Sequence, residues 1–364
     1  MTARVTFTRL AAVAAVVAGL SGALSAQQGS ILSQPGLPEQ PMPGTPQGVP
    51  TQPPDRPTIP VYDDGSVEVL HIRDNAYLVA GAGANVVVQT GRQGLLLVNT
   101  GPTPEAGEAV VAAIREHISD DPIRLILSTS ADEELTGANE VVSNSGANIN
   151  AGVGGGAGRE PSRIDGAPII ATEAVLHRMS GLLNEPRREN FAVWPHLTFY
   201  GPLNSRNFND EVVEMRHVPN AHTDGDLFVW LRQCDVIAAG NLYSTVTYPV
   251  IDLARGGTVQ GYLNALNDML DIAVPEFNNQ GGTMIIPAHG RISNESDLAE
   301  YRDMTTIIRD RVQAMIETGL TLEQVRAAGP TLDYDGIYGN PLGASWTGEM
   351  FLEAVYRDLS GTAR

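Results

Sequence analysis

Residues 219–226 read Pro219-Asn220-Ala221-His222-Thr223-Asp224-Gly225-Asp226. Turn-forming and small residues surround one histidine, and the apolar run Leu227-Phe228-Val229-Trp230-Leu231 follows at once. That pattern describes a loop running into a buried strand. A histidine among small neighbours at a strand end is placed for metal ligation or acid–base work. A hydrogen bond that merely steadies the loop is the other role open to it. A second histidine shares the setting: Pro287-Ala288-His289-Gly290 follows the apolar run Met284-Ile285-Ile286.

Upstream, the chain turns to strand patterning at Val67. Val67-Glu68-Val69-Leu70 alternates, Ala76 to Val79 is apolar, Asn85 to Val88 follows Gly81 and Gly83, and Gly94 to Val98 reads as a buried strand. Successive strands of this kind predict an antiparallel start to a mixed sheet. Pro102 to Ile118 is the first helix, with Val110, Val111, Ile114 and Ile118 at helical spacing. Ile123 to Leu127 is a short buried strand ending at Ser128-Thr129-Ser130, and a second helix is expected near Glu133 or Thr136. A polar loop between strand and helix, at the strand's carboxyl end, is the usual place for a site in an α/β protein. A strand is expected from Ile149. The glycines of Gly152 to Gly158 read as a loop, because the chain has no lysine to complete a P-loop.

Beyond this, Glu173 to Leu183 is expected as a helix and residues 197–231 as several strands. Val236 to Ala239 is a further strand, and Val259 to Val274, Leu298 to Glu317 and Trp346 to Leu359 are helices. Strand runs flanked by helices on both sides predict a three- or four-layer α/β architecture.

Five segments, in order, carry a resemblance to the metallo-β-lactamase-fold hydrolases. Asn75-Ala76-Tyr77-Leu78-Val79 resembles that family's opening strand. Leu97-Val98-Asn99-Thr100-Gly101 is similar to its Val-Asp-Thr-Gly turn, and His222-Thr223-Asp224-Gly225-Asp226 to its Gly-His-Thr-x-Gly-Asp loop. Ala239-Gly240-Asn241 resembles its Gly-Asp strand end, and Ile286-Pro287-Ala288-His289-Gly290 its Pro-Gly-His-Gly loop. The stretch with Tyr248-Pro249, Asp252 and Gly256-Gly257 is similar to an exported subgroup. The resemblance implies an αββα sandwich of two mixed sheets flanked by helices, spanning residues 61–330, with a C-terminal extension and closing helix over 331–364. It also implies metal-dependent hydrolysis, in which two bridged zinc ions activate a water.

The family's defining His-x-His-x-Asp-His motif falls at Thr129 to Asn139, and there the chain departs from it. Ser130 stands for the first histidine, Asp132 for the second, Glu134 for the aspartate and Leu135 for the last histidine. Zinc takes neutral imidazole, thiolate or carboxylate donors. Leu135 has no lone pair, and the neutral hydroxyl of Ser130 is a poor zinc ligand on a shorter side chain. Asn241 stands for the bridging aspartate, and Asn99 for the acid that supports the ligand loop from behind.

Two functional readings follow. In the first, the scaffold persists as a pseudoenzyme that binds a small-molecule ligand or partner without a metal. In the second, Asp132, Glu134, His222 and His289 hold one divalent ion, Mn²⁺ or Mg²⁺ suiting an oxygen-rich set better than zinc. Glu134 or a metal-bound water would then be the general base for hydrolysis.

The ends and the composition frame the domain. Residues 1–25 read as a secretory signal: Arg4 and Arg9 precede the apolar run Leu10 to Leu24, and Ala23 and Ser25 satisfy the small-residue cleavage rule. At about 15 residues the run is short for a membrane span. Export to a periplasmic or extracellular location follows as an expectation, as does the absence of a membrane span after cleavage. Residues 26–60 are rich in proline and glutamine and read as a linker. With 42 acidic and 23 basic residues the net charge is −19, which repels nucleic acid and anionic lipid. Cys234 is the only cysteine, so no internal disulfide forms, and its place before Val236 marks it as a core or strand-end residue.

Overall fold

The computed structural model describes residues 67–148, 166–183, 186–277, 281–339 and 345–362. The signal segment 1–25, the linker 26–60, the strand expected from Ile149 and the glycine loop Gly152 to Gly158 lie outside the described residues. Among the described residues no helix is long and apolar enough to cross a membrane.

Two sheets form the middle of the domain. The first joins, in spatial order, β1 (Glu68–Arg73), β2 (Ala76–Ala80), β3 (Val86–Gln89), β4 (Leu95–Val98), β5 (Ile123–Leu127), β6 (Ile169–Thr172) and β7 (Leu197–Phe199). Its first four strands pair antiparallel, and β4 to β7 pair parallel. The second sheet has the order β12 (Met284–His289), β11 (Val236–Ser244), β10 (Leu227–Leu231), β9 (Glu211–His217) and β8 (Leu203–Phe208). It is antiparallel except for the parallel pair of β11 and β12.

The helices are α1 (Pro104–His117), α2 (Glu133–Thr136), α3 (Asn139–Asn144), α4 (Glu173–Met179), α5 (Val259–Leu270), α6 (Glu295–Glu317), α7 (Leu322–Ala328), α8 (Asp335–Tyr338) and α9 (Gly348–Leu359). Three apolar layers hold the sandwich. Leu78, Leu96 and Leu127 of the first sheet meet Met215, Val229 and Ile286 of the second. Val110 and Ile114 of α1, with Val142 of α3, cover the outer face of the first sheet against Val88 and Leu97. Leu263, Leu266, Ile308 and Phe351 of α5, α6 and α9 cover the outer face of the second sheet. The architecture is therefore helix, sheet, sheet, helix, and the expected αββα sandwich is what the chain forms. Fully buried strands such as Leu95–Val98 are apolar at every position because both faces are covered.

Element ends follow their caps. The helix expected over Glu173 to Leu183 stops at Met179, where Ser180 caps it and Gly181 takes φ 76°. The helix from Val259 ends at Leu270 rather than Val274. The long helix begins at Glu295, three residues before Leu298, because Asn294 and Asp297 form a capping box. β6 carries little alternation, being buried at all four positions, and went unread in the sequence. The closing helix α9 packs Phe351 and Val355 into the same core as α5 and α6.

Candidate functional site

The site forms where loops from both sheets meet. From the first sheet, β5 delivers the loop Ser128–Asp132 and the short α2. Asn99, in the left-handed region at φ 65°, turns the chain after β4 so that its side chain points at this loop. Its Oδ1 accepts from Thr129 N and from Thr129 Oγ1, both at 3.0 Å. Asn99 thus supports the motif loop from behind with a neutral amide. From the second sheet, Gly240 passes so close to Thr129 that a Cβ there would lie 2.5 Å from Thr129 Oγ1. Its φ of +57° makes glycine the natural occupant.

His222 sits in the loop between β9 and β10 and is buried. Asp226 closes that loop by accepting from the Thr223 amide and from Thr223 Oγ1 at 3.0 Å. The backbone amide of Leu227 donates to Thr129 O at 2.9 Å, tying the loop to the motif. His289 ends β12, where Asn85 grips the chain: its Nδ2 donates to Pro287 O and Gly290 O, both at 2.9 Å.

The four candidate metal donors converge, but onto protein partners. Asp132 is the hub. Its Oδ2 accepts from His222 Nε2 at 2.8 Å, Asn241 Nδ2 at 2.8 Å and Ser130 Oγ at 2.9 Å. Its Oδ1 accepts from Arg255 Nη1 at 3.0 Å. His222 Nδ1 contacts Val250 O at 2.8 Å. A carbonyl and a carboxylate only accept, so both ring nitrogens carry protons and His222 is an imidazolium. Asn241 Nδ2 also reaches Glu134 Oε1 at 2.8 Å. His289 Nε2 lies 3.4 Å from the same oxygen and, among the described residues, has no hydrogen-bond partner.

Leu135 leaves this cluster. Its side chain is fully buried against Ala84 and Ala288 in a small apolar cluster. The other histidines serve elsewhere; His217 Nε2 contacts Asp224 O at 2.8 Å, and His196 Nδ1 accepts from Ile169 N at 3.0 Å.

Charge follows geometry. Burial alone would raise Asp132, but His222, Asn241 and Ser130 together hold its carboxyl well below the carboxylate range. Burial would pull His222 down, yet the charges of Asp226 and Asp132 and the two hydrogen bonds push it up to about 10. Glu134 is lowered chiefly by His289, against desolvation and with help from Asn241.

Arg255 was not singled out in the sequence. It lies on the 3-10 turn Leu253–Arg255, which Asp252 caps and Gly256 ends at φ 84°. Arg178 of α4 donates from Nη2 to Arg255 O at 2.7 Å and from Nε to Asp224 Oδ1 at 2.9 Å, bracing the turn. Arg188 is a second unread contributor, donating from Nη1 to Thr136 Oγ1 at 2.9 Å. Adjacent glycines after an arginine were the only local signal for the turn.

This donor set does not fit the two-zinc centre that the fold implies. Asn241 and Ser130 offer hydrogens where ligands are needed, Leu135 offers nothing, and a guanidinium already lies on Asp132. Among the described residues no group of three or more His, Cys, Asp or Glu side chains has the geometry to hold a metal ion.

No protein-family model matches the sequence, and no curated protein does either. Solved structures do match. A double mutant of the sec-alkyl sulfatase PisA1 superposes with a TM-score of 0.62 at 15% identity, over 80% of this chain and 50% of that one. The stereoselective inverting sec-alkylsulfatase Pisa1 from Pseudomonas sp. gives 0.58 at 15% identity, with the same coverage of each chain. This chain thus spans about half the length of the sulfatases it matches. A metallo-β-lactamase from Pontibacter korlensis gives 0.49 at 15% identity, over 66% of this chain and 99% of that one. The protein has the metallo-β-lactamase fold.

Proposed function

We propose that this protein is an exported, metal-free pseudoenzyme of the metallo-β-lactamase fold, whose cleft binds a small molecule without hydrolysing it by metal-activated water. The observation that carries this reading is Asp132. Only 13% of its side chain is exposed, and each of its oxygens is committed to hydrogens of His222, Asn241, Ser130 or Arg255. A metal would have to displace a protonated imidazole and a guanidinium, and both repel a cation. Zinc also needs neutral imidazole, which this arrangement does not present at His222.

The second reading, one divalent ion at a rebuilt site, is favoured by a single feature. Among the described residues His289 Nε2 has no hydrogen-bond partner, and it faces Glu134 Oε1, so two donors stand side by side. Metal analysis of the purified protein after dialysis separates the two readings, read beside hydrolysis of ester, phosphodiester, sulfate-ester and β-lactam probes. Less than a tenth of an equivalent of metal and no turnover is the expected result. Stoichiometric metal that is lost in His289→Ala would establish the second reading instead. Cleavage of the signal near Ser25 is checked by N-terminal sequencing of protein recovered from the periplasm or medium.

A further inference from the structure

The largely enclosed carboxylate of Asp132 sets an electrostatic problem. A carboxylate with only 13% of its side chain exposed needs a nearby cation. In a metal-dependent site of this fold the metal answers that need. Here Arg255 lies on the oxygen that His222, Asn241 and Ser130 leave over, at 3.0 Å. The guanidinium arrives there by construction. The 3-10 turn that carries it is capped by Asp252, whose Oδ1 accepts from Arg255 N at 3.1 Å. The turn is pinned to the His222 loop through Asp252 N on His222 O at 3.0 Å and Asp224 N on Arg255 O at 3.0 Å. Gly257 passes so near that a Cβ would lie 2.2 Å from His222 O, which fixes the approach of the turn. Asp252 Oδ2 flanks Arg255 Nε at 3.5 Å, so the guanidinium is held between two carboxylates.

We infer that Arg255 is an internal counter-ion that takes the place of a metal ion at this site, completing with His222 the neutralisation of Asp132 and keeping divalent cations out. The inference rests on the metal-free reading and adds the residue responsible for it. Arg255 is a positioning residue: it touches Asp132, and through Asp132 it orders His222 and Asn241.

The test uses the whole mature protein and two variants. Arg255→Met keeps the length of the stem and removes the charge; Arg255→Lys keeps the charge. Mn²⁺ and Zn²⁺ are titrated separately, with thermal unfolding and calorimetry as readouts. The wild type and Arg255→Lys are expected to show no shift in midpoint with either ion. Arg255→Met is expected to melt lower in the absence of metal and to bind Mn²⁺ or Zn²⁺ at least tenfold more tightly than the wild type. That gain is expected to vanish in Arg255→Met/Asp132→Asn. If the wild type itself holds stoichiometric metal, the metal-free reading falls. If the wild type is metal-free and Arg255→Met binds neither ion better, the metal-free reading stands and the counter-ion role of Arg255 is wrong. Should Arg255→Met fail to fold, Arg255→Gln removes the charge and keeps a polar group at the turn. A tenfold gain in Mn²⁺ or Zn²⁺ binding there supports the counter-ion role, and no gain overturns it.

Discussion

His222 Nε2 stands 2.8 Å from Asp132 Oδ2 and joins the two halves of the sandwich through a charged hydrogen bond, because Asp132 follows β5 of the first sheet and His222 precedes β10 of the second. The pair lies where loops from both sheets meet, and it makes that region a clasp between sheets. Charge-assisted bonds of this kind are stronger than neutral ones, and removing one partner leaves the other buried and uncompensated.

The clasp makes stability depend on pH at both ends. His222 is raised from 6.5 to about 10 in the folded protein. Its contribution is therefore fully present below pH 6.5 and is lost as pH rises towards about 10. Asp132 is lowered from 3.8, so its contribution is present above pH 3.8 and is lost as pH falls further. Urea unfolding from pH 5.5 to 9.5 should show the wild type losing stability relative to His222→Gln as pH rises. Parallel curves for the two proteins would contradict the doubly donating imidazolium.

Leu135 is expected to act as a core residue. Truncation to alanine removes a fully buried side chain from its pocket with Ala84 and Ala288. The loss should be about 2–5 kcal/mol, the range for buried leucine. Denaturant titration should give a lower midpoint with an unchanged slope. A loss below about 0.5 kcal/mol, the size of an ordinary surface change, would show that the pocket is not packed as described.

Gly240 and Gly319 make a matched pair. Both have positive φ, +57° and +83°, but a Cβ at Gly240 meets Thr129 whereas a Cβ at Gly319 meets nothing within 4 Å among the described residues. Gly319→Ala should cost about 1–2 kcal/mol, from backbone conformation alone. Gly240→Ala should cost clearly more, since Thr129 and its bonds to Asn99 must move. Equal thermal midpoints for the two variants would contradict the close approach of β11 to the motif loop.

Cys234 should be inert in the folded protein. It is 1% exposed, and burial followed by the charge of Glu211 pushes its thiol up. A thiol reagent such as DTNB is expected to react only after unfolding, with one equivalent per chain. Rapid reaction in native buffer would place the residue at the surface.

Much of the site could be read along the chain. His222 and His289 announced themselves by small neighbours at strand ends, and Asp132, Glu134, Ser130, Leu135, Asn241 and Asn99 by their places in ordered motifs. The structure brings Asp132, His222, Asn241, Ser130 and Glu134 together and puts Leu135 into an apolar pocket. Arg255, Arg178 and Arg188 could not be read that way. An arginine beside two glycines looks like any surface cation, and Arg255 lies 123 positions from the aspartate it contacts. Sequence spacing carries no information about such a pair.

The sequence by itself determined the layered α/β architecture, through apolar periodicity and ordered turn residues, and it determined which side chains stand in the strand-end loops, Ser130, Leu135 and Asn241 among them. What became of the remaining donors was decided only by the tertiary structure. Hydrogen bonds and ion pairs act over a few ångströms in space, whatever the distance along the chain. Only when the β5 loop, the His222 loop, the end of β11 and the Arg255 turn come together does Asp132 meet two cations and an amide, and with them its charge is balanced from within the protein.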